Sequence, residues 1–317
     1  MQHLDRYRGD PKDGWDVGYN HVFSPYSNPN SHRWNNTTAT NIAIEITGKH
    51  TGGSGEDIFD LYIYITNPDS ASPAKLQNVA ASYNSSNQVV VTWTASSEPD
   101  MPPNGGGYNV YREVYYGTTV VTSTKLNSSL LTSTSYTDAN NYSVSGVPND
   151  VDLYARYRIE YVDNTGKASI KSDGAKIFLG KTVFGEISAS QTWNGSYAVI
   201  DNTTLLSGRS LTIQTNSVIR CASSATFTSY GYLTVGNITF IPFNGATSGS
   251  WGPIILNGYW AGPSNLNGVT IRYGDGIQFI NGANATLQYS TIENNNHGIY
   301  FYSSAPLILN NTIRYNS

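Results

Sequence analysis

Over the last third of the chain, aliphatic side chains return at one fixed interval. Leu266, Leu287 and Ile308 lie 21 residues apart, and so do Ile271, Ile292 and Ile313. Thr270, Thr291 and Thr312 keep the same step, as do Gly274, Asn295 and Asn316. Inside each interval apolar and polar residues alternate, the two-residue period of a strand. A short period nested in a long one predicts a chain that winds in coils, each lying on the one before, so that like side chains meet in columns. Such a chain is all-β.

Each coil has to bend between strands, and bends favour residues that tolerate positive φ, chiefly glycine and asparagine. Gly274, Asn295 and Asn316 are therefore read as the bending positions, and amides stacked about 4.8 Å apart can also hydrogen-bond along the column. The stretch "TIENNNHGIYF" is longer than its counterpart by one residue: Ile271 to Ile277 is six steps and Ile292 to Ile299 is seven. His297 is taken as the extra residue, a solvent-facing bulge in preference to a metal ligand or an acid–base group. Arg272, Glu293 and Arg314 share the 21-residue spacing and predict an outward ladder of alternating charge, each rung contributing about 0.2–1 kcal/mol.

Upstream, "GRSLTIQTNSVIRC", "GYLTVGNITFIPF" and "GSWGPIILNG" continue the alternation, with Trp251 and Gly252 in a "W-G-x-I" turn and strand. Residues 180–317 thus resemble the first coils of a right-handed parallel β-helix of the pectate-lyase-like superfamily, secreted bacterial type. The end, "NNTIRYNS", stops directly after a strand and leaves an edge that complete helices cap, so the helix is expected to be truncated there.

Residues 73–179 hold short alternating strands split by turns. Val89, Val91 and Trp93 share one face of "QVVVTWTAS", Tyr108 and Val110 one face of "GYNVYREV", and Tyr157, Ile159 and Tyr161 one face of "YARYRIEYVDNTGKAS". A β-sandwich needs this pattern. The segment resembles a fibronectin type III domain, with a strand-B tryptophan, a "GYNVYR" strand C and a strand F ending in "YVDNTG". It departs from the family at the corner tyrosine, which would fall at Ala155, beside Tyr154.

Residues 1–70 form a β-rich module, expected to be a fragment of a larger domain. Ile42, Ile44 and Ile46 alternate, as do Phe59, Leu61, Ile63 and Ile65. The preceding "GDPKDGWDVGYNHVFSPYSNPNS", with Pro25, Ser27, Pro29 and Ser31, weakly resembles the β-rich region after the catalytic domain of immune-inhibitor-A-like secreted metallopeptidases. That resemblance implies a peptidase domain elsewhere in a parent chain. The five histidines are His3, His21, His32, His50 and His297, none followed by glutamate, so the zinc-peptidase helix motif is missing from this sequence.

Composition narrows the partners. Only 13% of the 317 residues are charged and the formal net charge is −4, which disfavours a nucleic-acid or anionic-membrane partner. Twenty-four tyrosines and 30 glycines suit strands and turns at a wet surface. Cys221 is the single cysteine; its parity with Ile219 predicts a buried small apolar side chain and not a reactive thiol. No apolar run approaches the roughly 20 residues of a membrane helix. The start, "MQHLDRYRGD", lacks signal-peptide regions, and a composition of extracellular type then suggests part of a longer secreted or cell-surface chain.

Chemistry-bearing residues are few. Asp10, Asp13 and Asp16, with Asp5, could converge on calcium, against the alternative of solvated turn aspartates; otherwise no cofactor is expected. Arg8-Gly9-Asp10 spells the tripeptide read by integrins, a match short enough to occur by chance. The third segment has four carboxylates, Glu186, Asp201, Asp275 and Glu293. Asp275 and Glu293 sit on adjacent coils three positions out of register, roughly 11 Å apart in extended geometry, against the ~5.5 to ~9.5 Å of glycosidase pairs. Tyr300 and Tyr302 have outward parity, where aromatic rings stack on sugars or simply decorate a strand. The sequence reads as a non-catalytic modular piece, spacer plus β-helix face, binding a polysaccharide or another surface ligand. The alternative is part of an extracellular enzyme whose site lies upstream or on later coils.

Overall fold

The computed structural model of the chain describes residues 16–17, 20–27, 31, 38–102, 104–139, 142–243, 247–258 and 263–317. It is nearly all β, with sandwich-like sheets toward the N-terminal side and a parallel β-solenoid of about six turns in the C-terminal region. Two compact units are present: residues 1–112, 124–137 and 156–176 make the first, and residues 113–123, 138–155 and 177–317 the second.

In the first unit, Ile42–Thr51 pairs antiparallel with Val22–Phe23 on one side and Asp57–Ile65 on the other. Ile42, Ile44 and Ile46 stand opposite Ile65, Ile63 and Leu61, so the two alternating runs do share a face. Burial falls largely on the other parity, however: Ile42, Leu61, Ile63 and Ile65 are exposed, while Ala43 and Glu45 are buried. Glu45 can sit inside because the Tyr64 hydroxyl donates to its Oε2 at 2.8 Å and the Ser72 N–H reaches it at 3.4 Å. A carboxylate buried without such donors would be strongly unfavourable.

A second sheet joins Ala80–Tyr83, Val89–Thr92 and Ser135–Thr137, again antiparallel. Val89, Val91 and Trp93 are buried together as their alternation predicts. Trp93 meets Tyr108 edge-on at 5.4 Å, and Tyr108 leans on Tyr161 at 5.4 Å. Tilted and edge-on contacts are the favourable arrangements for such rings. In the second unit Ala155 is buried, and Tyr154 stacks on Tyr115 at 5.7 Å and touches Phe178 at 5.3 Å.

The solenoid lays its strands in three parallel stacks. One contains Gln191–Trp193, Ser210–Ile213, Tyr232–Gly236, Ser264–Asn267, Ala285–Gln288 and Leu307–Leu309. The second contains Val218–Cys221, Thr239–Pro242, Thr270–Arg272, Thr291–Glu293 and Thr312–Arg314. The third contains Phe227–Ser229, Ile254–Asn257, Ile277–Ile280 and Ile299–Tyr302. Ser196–Leu205 starts two of these: residues 196–199 pair with the second stack and 203–205 with the third.

The columns are those the 21-residue interval implies. Ile271 pairs with Ile292 and Ile292 with Ile313, continuing upward from Ile219 and Phe240. Leu266, Leu287 and Ile308 continue the column of Trp193, Ile213 and Val235. Ile271 and Ile292 are fully buried but Ile313 is 48% exposed, because the last coil has a neighbour on one side only. Each fully covered aliphatic rung contributes about 1.5–3 kcal/mol.

The bends differ from the expectation by one residue. Positive φ occurs at Tyr273 (61°), Asn294 (58°) and Tyr315 (56°), not at Gly274, Asn295 and Asn316. A second corner repeats the offset, with Gly268, Tyr289 and Asn310 left-handed immediately before Val269, Ser290 and Asn311. The left-handed residue reverses the chain, and on the later coils the residue after it, Ser290, Asn295, Asn311 or Asn316, turns its side chain along the stack to accept a backbone N–H of the preceding coil. A left-handed tyrosine is strained by roughly 1–2 kcal/mol, which the hydrogen bonds of the following residue offset.

Gly274 has a separate reason to be glycine. A Cβ there would press on the Trp251 indole, 2.7 Å from Cζ2, and Trp251 is itself buried with Nε1 donating to the Arg272 carbonyl at 2.9 Å. Gly274→Ala is expected to lower stability by about 1–3 kcal/mol through overpacking. Denaturant unfolding checks this, and in a double-mutant cycle Trp251→Leu should recover part of the loss. Additive losses would mean that the indole is not what excludes the Cβ.

Candidate functional site

The corner between the second and third stacks gathers most of the polar residues singled out in the sequence. Asn295 is wholly buried. Its Oδ1 accepts the Gly274 N–H at 2.9 Å, and its Nδ2 donates to the Ile271 carbonyl at 3.0 Å and to Asn316 Oδ1 at 3.1 Å. Asn316 repeats the motif one coil on, accepting the Asn295 N–H at 2.9 Å and donating to the Ile292 carbonyl at 2.9 Å. These side chains complete the backbone hydrogen bonding that strand pairing cannot supply at a bend.

His297 is the inserted residue. Asn296 still meets Asp275, 21 positions earlier, but Ile299 pairs with Ile277, 22 earlier. The His297 side chain is 60% exposed, in keeping with a surface bulge, yet it is not loose: Nδ1 lies 2.7 Å from Asp275 Oδ1, which also accepts from Asn296 Nδ2 at 2.9 Å. Sequence spacing missed this contact because the insertion shifts the register by one.

Arg272, Glu293 and Arg314 do form a ladder, each guanidinium Nε donating to a different Glu293 oxygen at 2.7 Å. The middle rung has outward parity, opposite to buried Ile292, but is covered. The Glu293 side chain is 6% exposed because the two arginines, at 33% and 53%, lie over it. Burial pushes its carboxyl up, but the hydrogen bonds and charges of Arg314 and Arg272 outweigh that and hold it below the usual carboxylate range. Glu293 is thus engaged by arginines and Asp275 by His297 and Asn296.

Tyr300 and Tyr302 sit on Ile299–Tyr302, beside Gln278 and Ile280 of the previous coil. They are 49% and 59% exposed. Phe301, expected to face inward, stacks on Phe279 at 5.8 Å and is nevertheless 48% exposed, again because the last coil is covered on one side only.

The remaining candidates are dispersed. Cys221 is buried, and burial pushes its thiol far up, out of the reactive range. Asp16 receives Lys49 Nζ at 2.8 Å; Asp5, Asp10 and Asp13, and with them the Arg8-Gly9-Asp10 tripeptide, lie outside the described residues. Among the described residues no group of three His, Cys, Asp or Glu is placed to hold a metal ion, and no helix is long and apolar enough to cross a membrane. The chain matches no protein-family model and no curated protein.

Proposed function

We propose that the chain is a non-catalytic modular piece of a secreted or cell-surface protein whose solenoid presents a face to a polysaccharide. Under this reading the solenoid is a right-handed parallel β-helix of the pectate-lyase-like kind, residues 73–179 are a fibronectin type III-like spacer, and further parts of a longer parent chain accompany them. The observation that carries the reading is the pair Tyr300 and Tyr302, held two residues apart on one strand with both rings exposed. Rings fixed by a strand at about 6.6–6.8 Å spacing offer neighbouring platforms for sugar rings, burying apolar area while each hydroxyl stays wet.

A glycan array tests this directly. The full chain should retain at least one glycan, and the Tyr300→Ala, Tyr302→Ala double variant should lose at least tenfold in affinity. Retention of no glycan, or unchanged binding by the variant, overturns the assignment.

A further inference from the structure

A different part of the solenoid forms a built cleft. Ser196–Leu205 pairs on one side with Ala175–Ile187, and there the register slips: Val183 opposes Val199, but Gly185 opposes Thr203. Three residues, 200–202, therefore face the single residue Phe184. Bulges of this kind re-aim side chains and recur next to functional sites. Here Ile200 stays half-buried and Asp201 turns out to solvent.

The bend is held rigidly. Asn202 Oδ1 accepts both the N–H and the hydroxyl of Thr226 on the next coil, at 3.0 and 2.9 Å. Asp201 Oδ1 accepts the Asn202 N–H at 2.7 Å, and the Thr203 hydroxyl donates to the Asp201 carbonyl at 3.1 Å. The segment Tyr142–Val147 lies across this corner, anchored by buried Val147 and by buried Tyr142, whose ring meets Phe243 edge-on at 5.9 Å. Together these elements border an open cleft of about 630 Å³, lined by Phe184, Ile200, Asp201, Ala222, Ser223 and residues 142–147. That volume lies within the roughly 300–1,000 Å³ typical of small-molecule sites.

The lining selects a ligand class. Phe184, Ile200, Ala222 and Val147 supply apolar wall, while Ser143, Ser145, Ser223 and the Asp201 carboxylate supply hydrogen-bonding groups. Among the described residues no lysine, arginine or histidine lines the cleft, so a phosphate, sulfate or uronate would meet Asp201 without a counter-charge. A wholly apolar ligand would strip water from the carboxylate and hydroxyls without replacing it. A ring with one apolar face and a rim of hydroxyls satisfies both kinds of wall. We propose that this cleft binds a neutral pyranose unit of a glycan, with Asp201 accepting hydrogen bonds from sugar hydroxyls.

The inference rests on the glycan-binding reading but on different residues from Tyr300 and Tyr302, so the two fail separately. The test is isothermal titration of the full chain with hexamers of cello-, xylo-, manno- and chito-oligosaccharide, and with hexa-galacturonate as the anionic probe. One neutral hexamer should bind, hexa-galacturonate should not, and both Ser223→Trp, which fills the cleft, and Asp201→Ala should weaken binding at least tenfold. The Tyr300→Ala, Tyr302→Ala variant should keep this site. If Ser223→Trp fails to fold, judged by its melting profile, Asp201→Ala decides. Cleft variants that bind normally while the tyrosine variant does not would sink the cleft and leave the tyrosine face standing. Preference for hexa-galacturonate would overturn the ligand class, and silence from every neutral hexamer would overturn the cleft while leaving the tyrosine face to its own array test.

Discussion

Asn295→Ala should be among the most damaging single substitutions in the solenoid, lowering its stability by about 3–5 kcal/mol. Truncation removes the acceptor of the Gly274 N–H and the donor to the Ile271 carbonyl, and it frees Asn316 Oδ1 from one of its two partners. Both backbone groups are then left at a site where Asn295 itself was completely inaccessible to water. Each buried group stranded in this way costs about 1–3 kcal/mol, and the void adds to the loss. Asn295→Asp is no rescue, since it keeps the acceptor for Gly274 but loses the amide donor and introduces a charge into a dry corner. Asn316→Ala, on the half-covered last coil, should cost less, and Asn296→Ala, at the surface, less again. Urea unfolding of the three alanine variants measures the order. Equal losses for Asn295 and Asn296 would mean that the amide column does not hold the coils in register.

The order of these three asparagines also shows how far the sequence could be read. The 21-residue interval placed Ile271, Ile292 and Ile313 in one column, and each does pair with the next. An in-register parallel stack carries its geometry in one dimension, so spacing alone is enough. Earlier coils were harder to follow because their corners differ in length: Val235 to Leu266 is 31 residues for the same step that takes 21 from Leu266 to Leu287. At the corners, composition identified the right neighbourhood and the wrong residue. Glycine and asparagine were taken to mark positive φ, yet Tyr273 and Tyr315 adopt it. What decides is which side chain must reach the backbone of the adjoining coil, and Asn295 and Asn316 are reserved for that. Gly274 is small because of Trp251, a neighbour 23 residues away that no local rule would identify. The His297–Asp275 contact and the Asp201 cleft were hidden for a related reason, since both arise where one residue or more breaks the register. In the first unit, alternation gave the shared face of Ile42, Ile44 and Ile46 but not which face is covered, because that depends on residues packed against the sheet and not on the strands themselves.

Glu98→Gln should stabilise the first unit at alkaline pH and leave it nearly unchanged in mild acid. Glu98 is 8% exposed and accepts a long hydrogen bond, 3.3 Å, from the Ala74 N–H. Burial, reinforced by the nearby Asp69, Asp100 and Asp163, pushes its carboxyl up to about 7 against that one opposing bond. Asp100 and Asp163 are themselves buried but well supplied with donors. Tyr161 OH and the Asn164 N–H serve Asp100, and the Thr165 hydroxyl and the N–H groups of Thr165 and Lys167 serve Asp163. Glu98 has only the one long bond from Ala74. With a folded value above the unfolded one, the folded chain holds a proton that the unfolded chain has released. Stability from this group is therefore undiminished below about 4.5, falls as pH rises toward about 7, and stays reduced above it. The full swing corresponds to about 3 kcal/mol, and glutamine, uncharged at any pH, removes most of it. Hydrogen exchange of the strand Val89–Thr92, followed in urea from pH 4.5 to 8, isolates this unit from the solenoid. The protection gained by Glu98→Gln should grow steadily over that range; a gain independent of pH would mean that packing, and not ionisation, limits stability at this position.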